Sequence, residues 1–345
     1  MGIKNLNKMI RNKCKNSIKM ISISELSGKK IVIDILGYLY KYVAENALIE
    51  NMYLMLSIFN YYNVTPLFVF DGKPPVEKRN LLIKRKKDKE EAEKEYCHLK
   101  CILDTNERDL KVEDKEEIIT TMNVLKKKFV YLKKEQICKV KELIYSYGAC
   151  YLDAPGEADE LCAMLVIENK VWACLSEDSD MFVYGCPRVL RYISLLNHTV
   201  VLYDMKSILK ELELNQNVFR EICILSGTDY DLQIIKNNNV NNNVKHNFDN
   251  LLGNLFEMYR KFNNSLETEP TIKYDLLHIF SNLEKYMKCN LDFDYETFKN
   301  IYSIFDLSKN KLLLSDFQNT IIVNGIKSNE KIREILKEDG FIFPE

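Results

Sequence analysis

The sequence predicts an α/β fold: a central, mostly parallel sheet flanked by helices. Three observations carry that prediction. Apolar runs at residues 31–35, 66–70 and 171–175 have the length and composition of buried strands. Helical patterns lie between them, and strands alternating with helices build parallel sheets. Each run ends in or near a carboxylate: Asp34, Asp71 and Asp178. Such sheets bind ligands beyond the carboxyl ends of their strands. One aspartate after a strand is an ordinary turn residue, but three after three strands are hard to explain as turns.

The totals narrow the class. The chain has 345 residues, 46% hydrophobic and 29% charged, enough for one large domain or two smaller ones. Its formal net charge is -1, so any contact with nucleic acid must come from local patches. The ten cysteines form no C-x-x-C pair, and the four histidines (98, 198, 246 and 278) lie near no cysteine pattern, which argues against zinc. Cys162, Cys174 and Cys223 sit in apolar runs and read as buried thiols of a reducing, intracellular compartment. Nucleus and cytoplasmic replication site are not distinguished. No apolar run approaches about 20 residues, so no membrane span is expected. Gly2 suits a myristoylation signal, but Leu6 stands where Ser or Thr is wanted.

Along the chain, residues 3–12 predict a short basic amphipathic helix. After the first strand, helical spacing runs through Tyr38, Tyr40 and Tyr42, and a second helix over 46–62. Lys73-Pro74-Pro75 then opens a charged, helix-rich segment reaching about residue 145. Six basic residues face one acid over 76–87, and seven face one over 126–141. Such runs are usually solvated faces, yet one-signed runs flanking an acidic centre favour phosphate contact. Lys78 and Arg85 are seven apart, one face of a helix. Lys84, Arg85, Lys86 and Lys87 form a basic run that also resembles a nuclear signal. Residues 188–203 have strand character, helices follow over 205–214 and 216–225, and Asp229 lies just past a helix end, where a cation should offset the macrodipole. Residues 236–244 form an Asn-rich loop candidate, helices resume over 248–262, and 271–345 reads as mostly helical.

The stretch 153–180 organises the rest. It holds Glu157 and Asp159 after Pro155-Gly156, a turn that opens a helix, and Asp178 and Asp180 after the third apolar run. Crowded carboxylates repel unless a cation lies between them, and oxygen ligands suit magnesium or manganese. The bland alternative is a capped helix and a polar loop.

Six motifs in order, M-G-I-K-N-L, V-I-D-I-L, V-F-D-G-K-P-P, Y-L-D-A-P-G-E-A-D, S-E-D-S-D and L-S-G-T-D-Y, resemble the flap endonuclease branch of the structure-specific 5′ nuclease (XPG/Rad2-like, PIN-like) superfamily. The resemblance spans Met1 to about Tyr230. It implies a PIN-like nuclease core in two parts, 1–75 and 146–232. A helical arch over 76–145 would admit single-stranded DNA, and 233–345 would be a mostly helical C-terminal region. The acidic cluster it implies falls on Asp34, Asp71, Glu157, Asp159, Asp178, Asp180 and Asp229, binding two Mg²⁺ ions for which Mn²⁺ substitutes. Asp159 stands where many relatives have Glu. Lys78 and Arg85 match the family's basic pair, Tyr40 an aromatic that stacks on a base, and Gly2 a terminus close to the DNA. Lys84, Lys86 and Lys87 extend the DNA contact. The implied partner is DNA with single-strand/double-strand junctions, cut to leave a 5′-phosphate and a 3′-hydroxyl. Relatives follow the last motif with a Gly-Ile-Gly-Pro-Lys hairpin that holds potassium and grips the duplex. This chain has no Gly between Gly227 and Gly253, so a degenerate clamp is expected. No sliding-clamp peptide of the Q-x-x-[LI]-x-x-[FY]-[FY] kind is found, and a monomer is expected.

Two rival classes remain. A catalytically silent scaffold of this fold would be expected to shed carboxylates, because an unneutralised cluster costs stability, and none is missing. A metal-dependent phosphatase or sugar transferase accounts for Asp178 and Asp180 alone. It leaves Asp34, Asp71 and the basic segment unexplained.

Overall fold

The computed structural model describes residues 2–3, 5–105, 112–230, 235–236, 251–266, 292–307 and 322–343. It opens with α1 (Leu6–Lys13), β1 (Ile18–Ser22), β2 (Lys30–Asp34), α2 (Leu36–Ala44), α3 (Leu48–Tyr61) and β3 (Thr65–Phe70). A 3-10 turn at Val76–Lys78 leads into the long α4 (Arg79–Thr105), then α5 (Val112–Lys126) and α6 (Lys134–Ser146). Next come β4 (Cys150–Asp153), α7 (Ala158–Ile167), β5 (Ala173–Leu175) and α8 (Asp180–Tyr184). They are followed by β6 (Arg188–Ser194), β7 (Thr199–Asp204), α9 (Met205–Leu212) and α10 (Gln216–Leu225). The last described elements are β8 (Ile235–Lys236), α11 (Leu251–Leu266), β9 (Asp292–Phe293), α12 (Tyr295–Phe305), β10 (Val323–Asn324) and α13 (Asn329–Glu338).

The chain divides into two compact units. The first comprises Met1–Ser22, Asp159–Ile193 and Thr199–Asn319; the second comprises Ile23–Ala158, Ser194–His198 and Thr320–Glu345. In the first, the strands run in the order β1-β7-β6-β5. β5 pairs parallel with β6, Cys174 opposite Val189, and β1 pairs antiparallel with β7, Ile18 opposite Tyr203. The short α8 is buried along its whole length. That accounts for the unbroken apolar run after Asp180. Asn215 caps α10 by accepting the Val218 N–H at 3.0 Å, and Asp204 caps α9 from Ser207 at 2.8 Å. Phe305 of α12 packs against Tyr184 with ring centroids 4.9 Å apart.

In the second unit the order is β2-β3-β4-β10. β2 and β4 each pair parallel with β3. Ile31, Val32 and Ile33 are all fully buried, as strands covered on both faces require. α3 buries Met52, Met55, Leu56 and Phe59, and α6 buries Val140, Leu143 and Ile144. α6 packs on α3 and β4, with α13 against it.

The α/β class and the parallel strand pairs match the sequence expectation. Three details differ. Residues 188–203 form two strands with a turn between them, where His198 takes a left-handed φ of 50°. The tail is not only helical: β10 adds antiparallel to β4, Val323 opposite Tyr151, and β9 pairs with β8. Lys236, expected in the Asn-rich loop, belongs to β8; 237–244 lie outside the described residues.

Candidate active site

In the second unit, Asp34 is the last residue of β2, and Asp71 follows β3 directly. The register sets Asp34 opposite Val69, so both carboxylates stand at the same end of adjacent parallel strands. The loop after β4 is tied down beside them. Ala154 N–H donates to Phe70 O at 2.8 Å, and Gly72 N–H to Gly156 O at 2.7 Å. Gly72 is required here, because a Cβ would fall on the Ala154 carbonyl oxygen. Asp71 Oδ1 accepts the Ala158 N–H at 2.7 Å and so caps the first residue of α7. This lacing sets Glu157 close to Asp71. Lys78 lies on Glu157, its Nζ 2.8 Å from Oε1 and 2.7 Å from Oε2. Lys78 belongs to the 3-10 turn before α4, not to the helix that carries Arg85. Pro74-Pro75 sets that start, since proline's fixed φ opens the turn and the residue before it stays extended.

Tyr40 is 37% exposed, and one face of its ring carries the Lys89 ammonium at 4.7 Å. Lys89 also donates to Val130 O at 2.9 Å. Burial, and then Arg85, hold the Lys89 ammonium below its ordinary value. Lys84, Lys86 and Lys87 are exposed; Lys86 and Lys87 lie 3.9 and 3.7 Å from Glu90 and Glu91 one turn on. Lys89 was not singled out from the sequence. Its spacing of four from Arg85 was the available signal.

In the first unit, Asp159 sits in the first turn of α7 and Asp180 opens α8. Both are buried, at 8% and 1% exposure. The Asp180 N–H donates to Asp178 Oδ1 at 3.0 Å, and the Asp178 N–H to Ser176 Oγ at 3.1 Å. The S-E-D-S-D loop thus folds on its own side chains. The Tyr184 hydroxyl is pushed well above its usual range, first by burial and then by Asp159, Tyr230 and Asp180. One buried phenol thus feels the charge of both Asp159 and Asp180. Asp229, past the end of α10, accepts the Gly2 N–H at 3.2 Å. That backbone donor lies where the helix end calls for positive charge. Gly2 has φ 77°, and a Cβ on it would fall on Asp178 Oδ1, Ser179 Oγ and Asp180 Oδ1, well inside van der Waals contact. The second residue of the chain therefore lies against three of the predicted carboxylates.

Do these residues suit a divalent ion? Among the described residues, no three carboxylate, imidazole or thiol groups form a ready-made metal cage. Magnesium does not demand one: it keeps several waters and uses one or two carboxylates together with substrate phosphates. The donors are hard oxygens, and the neighbouring Cys223 thiol is pushed well above its usual value by burial and by Asp180, so it stays protonated. The cradle of Gly2, Asp178 and Asp180 therefore fits Mg²⁺ or Mn²⁺ and does not fit zinc.

The XPG N-terminal domain model matches residues 1–92 and the XPG I-region model residues 148–229, together half of the chain. Flap endonuclease 1 of Methanococcus aeolicus is 28% identical over 284 residues, covering 74% of this chain and 80% of that protein. Flap endonuclease 1 of Candida tropicalis is 32% identical over 249 residues, 67% of this chain and 63% of that protein. The chain thus spans less than two thirds of the latter relative's length. Its fold is similar to the catalytic core of Rad2 in complex with DNA substrate, with a TM-score of 0.63 at 20% identity over 99% of this chain and 96% of that one. With both family regions matched in order and the PIN-like α/β architecture in place, this chain belongs to the XPG/Rad2-like superfamily of structure-specific nucleases, the family of flap endonuclease 1.

Proposed function

We propose that this chain is a divalent-metal-dependent DNA nuclease that cuts flaps or 5′ ends at single-strand/double-strand junctions. Water attacks the scissile phosphorus as the bond to the 3′ oxygen breaks, leaving a 5′-phosphate and a 3′-hydroxyl. Two Mg²⁺ ions, or Mn²⁺ in their place, would be held by Asp34, Asp71, Glu157, Asp159, Asp178, Asp180 and Asp229, directly or through water. When bound, they supply a lowered pKa for water and charge stabilisation at the phosphoryl oxygens.

The chain's own residues have separate tasks. Seven carboxylates exceed direct ligation by two ions, so the more buried ones orient the others. Lys78 and Arg85 offset charge developing on the phosphoryl oxygens. Lys78 pairs with Glu157 without substrate, which pre-sets its position and limits its repulsion of incoming metal. Tyr40, with one ring face on Lys89, offers the other to an unpaired base. The basic face of α4 tracks the strand's phosphates.

The observation that carries the reading is the lodging of Gly2 against Asp178, Asp180 and Asp229, which joins the first and last of the six motifs in one place. The described cysteines are free thiols, which supports work in a reducing compartment. The test is cleavage of end-labelled flap, nicked and four-way DNA with Mg²⁺ and with EDTA. Metal-dependent release of products bearing 5′-phosphates is expected from flapped DNA; none from any substrate would return the chain to a binding scaffold.

A further inference from the structure

Arg191 is a buried cation that the proposed chemistry does not use. It lies in β6, in a stretch whose alternation should turn either it or Tyr192 outward, and it is Arg191 that is buried, at 5% exposure. Tyr192 is exposed instead, with a left-handed φ of 56°. A buried arginine in place of an apolar residue costs free energy, as does φ > 0 in a tyrosine, so the surroundings must hold both.

The surroundings are the acidic loop. Arg191 Nη2 donates to the Glu177 carbonyl oxygen at 2.5 Å, and its Nε is 3.6 Å from Glu177 Oε2. Glu177 Oε1 accepts the Tyr192 N–H at 2.6 Å. Rings of Tyr192, Phe182 and Tyr203 flank the guanidinium at 5.3, 5.7 and 5.9 Å. The clamp reaches the N-terminal helix: Asn7 Nδ2 donates to Tyr192 Oη at 2.6 Å, and Tyr203 Oη donates to Asn7 Oδ1 at 3.0 Å. Both backbone and side chain of Glu177 are therefore fixed, immediately before Asp178, and the helix that follows Gly2 is fixed by the same network. Nε and Nη1 of Arg191 make no hydrogen bond of their own. Replacing such a buried cation by an apolar side chain of that size is often neutral or stabilising for a fold.

From this geometry we infer that Arg191 is a positioning residue: through Glu177 it sets Asp178 and Asp180 for the divalent ion. A guanidinium suits the task because its rigid fork reaches carbonyl and carboxylate together. The inference rests on the metal-dependent reading above, and its test has a readout that needs no cleavage.

The experiment titrates Mn²⁺ alone into the DNA-free protein by electron paramagnetic resonance, for wild type, Arg191→Met, Arg191→Lys and Glu177→Gln. Thermal melting and the Mg²⁺ dependence of single-turnover flap cleavage accompany it. Arg191→Met is expected to stay folded and to raise the Mn²⁺ dissociation constant about 10–100-fold, the usual effect of losing a residue that orients ligands. The Mg²⁺ needed for half-maximal rate should rise by the same factor, with the rate at saturating Mg²⁺ largely restored, and Arg191→Lys should recover part of the affinity. Unchanged Mn²⁺ affinity in folded Arg191→Met, with only a lowered melting temperature, overturns the inference. If Arg191→Met does not fold, unchanged affinity in both Arg191→Lys and Glu177→Gln overturns it equally. A wild type that binds Mn²⁺ but cleaves nothing would contradict the nuclease reading and leave this one standing.

Discussion

The Lys78 ammonium straddles the Glu157 carboxylate, 2.8 Å from Oε1 and 2.7 Å from Oε2, with the two side chains only 11% and 20% exposed. A pair this sheltered is costly to break from one side, because the survivor keeps a largely buried charge. Lys78→Met should destabilise the fold by on the order of 3 kcal/mol. Lys78→Met combined with Glu157→Gln should recover much of that, and urea unfolding of the single and double variants measures the coupling. On DNA, Lys78→Met and Arg85→Ala should each slow single-turnover cleavage about 10²–10³-fold with small changes in binding. Unchanged rates with a raised dissociation constant would make them ordinary backbone contacts.

Gly2→Ala adds only a methyl group, yet that methyl has no room beside Asp178, Ser179 and Asp180, and φ 77° is strained for alanine. The outcome expected is at least about a tenfold rise in the Mg²⁺ needed for half-maximal rate. Melting temperature should change little, since the second residue carries little of the core. A variant with wild-type metal dependence would show that the N-terminus leaves the acidic loop during catalysis.

Lys89 makes a pH prediction. Its ammonium is held below its usual value by burial and by Arg85, so the folded protein releases this proton before the unfolded chain does. Between the folded value and 10.5 the unfolded state binds more protons, and stability contributed at this site rises with pH. Unfolding of wild type and Lys89→Met from pH 7 upward should show the difference moving in favour of wild type as pH approaches 10.5. A difference that stays flat would mean that Lys89 is fully solvated.

By the family resemblance, a Gly-containing potassium hairpin is expected where this chain has its Asn-rich tract, of which 237–244 lie outside the described residues. Cleavage should respond no more to potassium than to sodium at matched ionic strength. Substituting 237–243 by a Gly/Ser linker should leave duplex affinity unchanged. A strong potassium requirement, or loss of duplex binding in the linker variant, would show that asparagine supplies the left-handed backbone the hairpin needs.

Much of the candidate site was legible because its signals are local. Asp34, Asp71 and Asp178 stand out as acids closing apolar strands, and P-G-E-A-D announces a helix start within five residues. What escaped depends on distant partners. Arg191 reads as a charged residue in a strand, and only its packing against Glu177 explains its burial. β10 has two residues, and its pairing with β4 spans 172 positions between Val323 and Tyr151. Gly2 carries no local sign that it lies beside Asp229, 227 residues away. Lys78 and Arg85 fall in different elements for a nearby reason: Pro74-Pro75 begins the segment with a 3-10 turn that runs directly into α4.

On the reading proposed here, the carboxylates hold the ions that activate cleavage. Asp178→Asn tests it most directly, because the amide oxygen can still accept the Asp180 N–H while the charge is gone. The measurement is single-turnover cleavage of a 5′-labelled flap by wild type and Asp178→Asn, each with Mg²⁺ and with EDTA, alongside flap binding in Ca²⁺. Wild type should cleave only with Mg²⁺, and Asp178→Asn should bind the flap as well or more tightly yet fail to cut it. Near wild-type turnover by Asp178→Asn in Mg²⁺, or cleavage by wild type in EDTA, would contradict it.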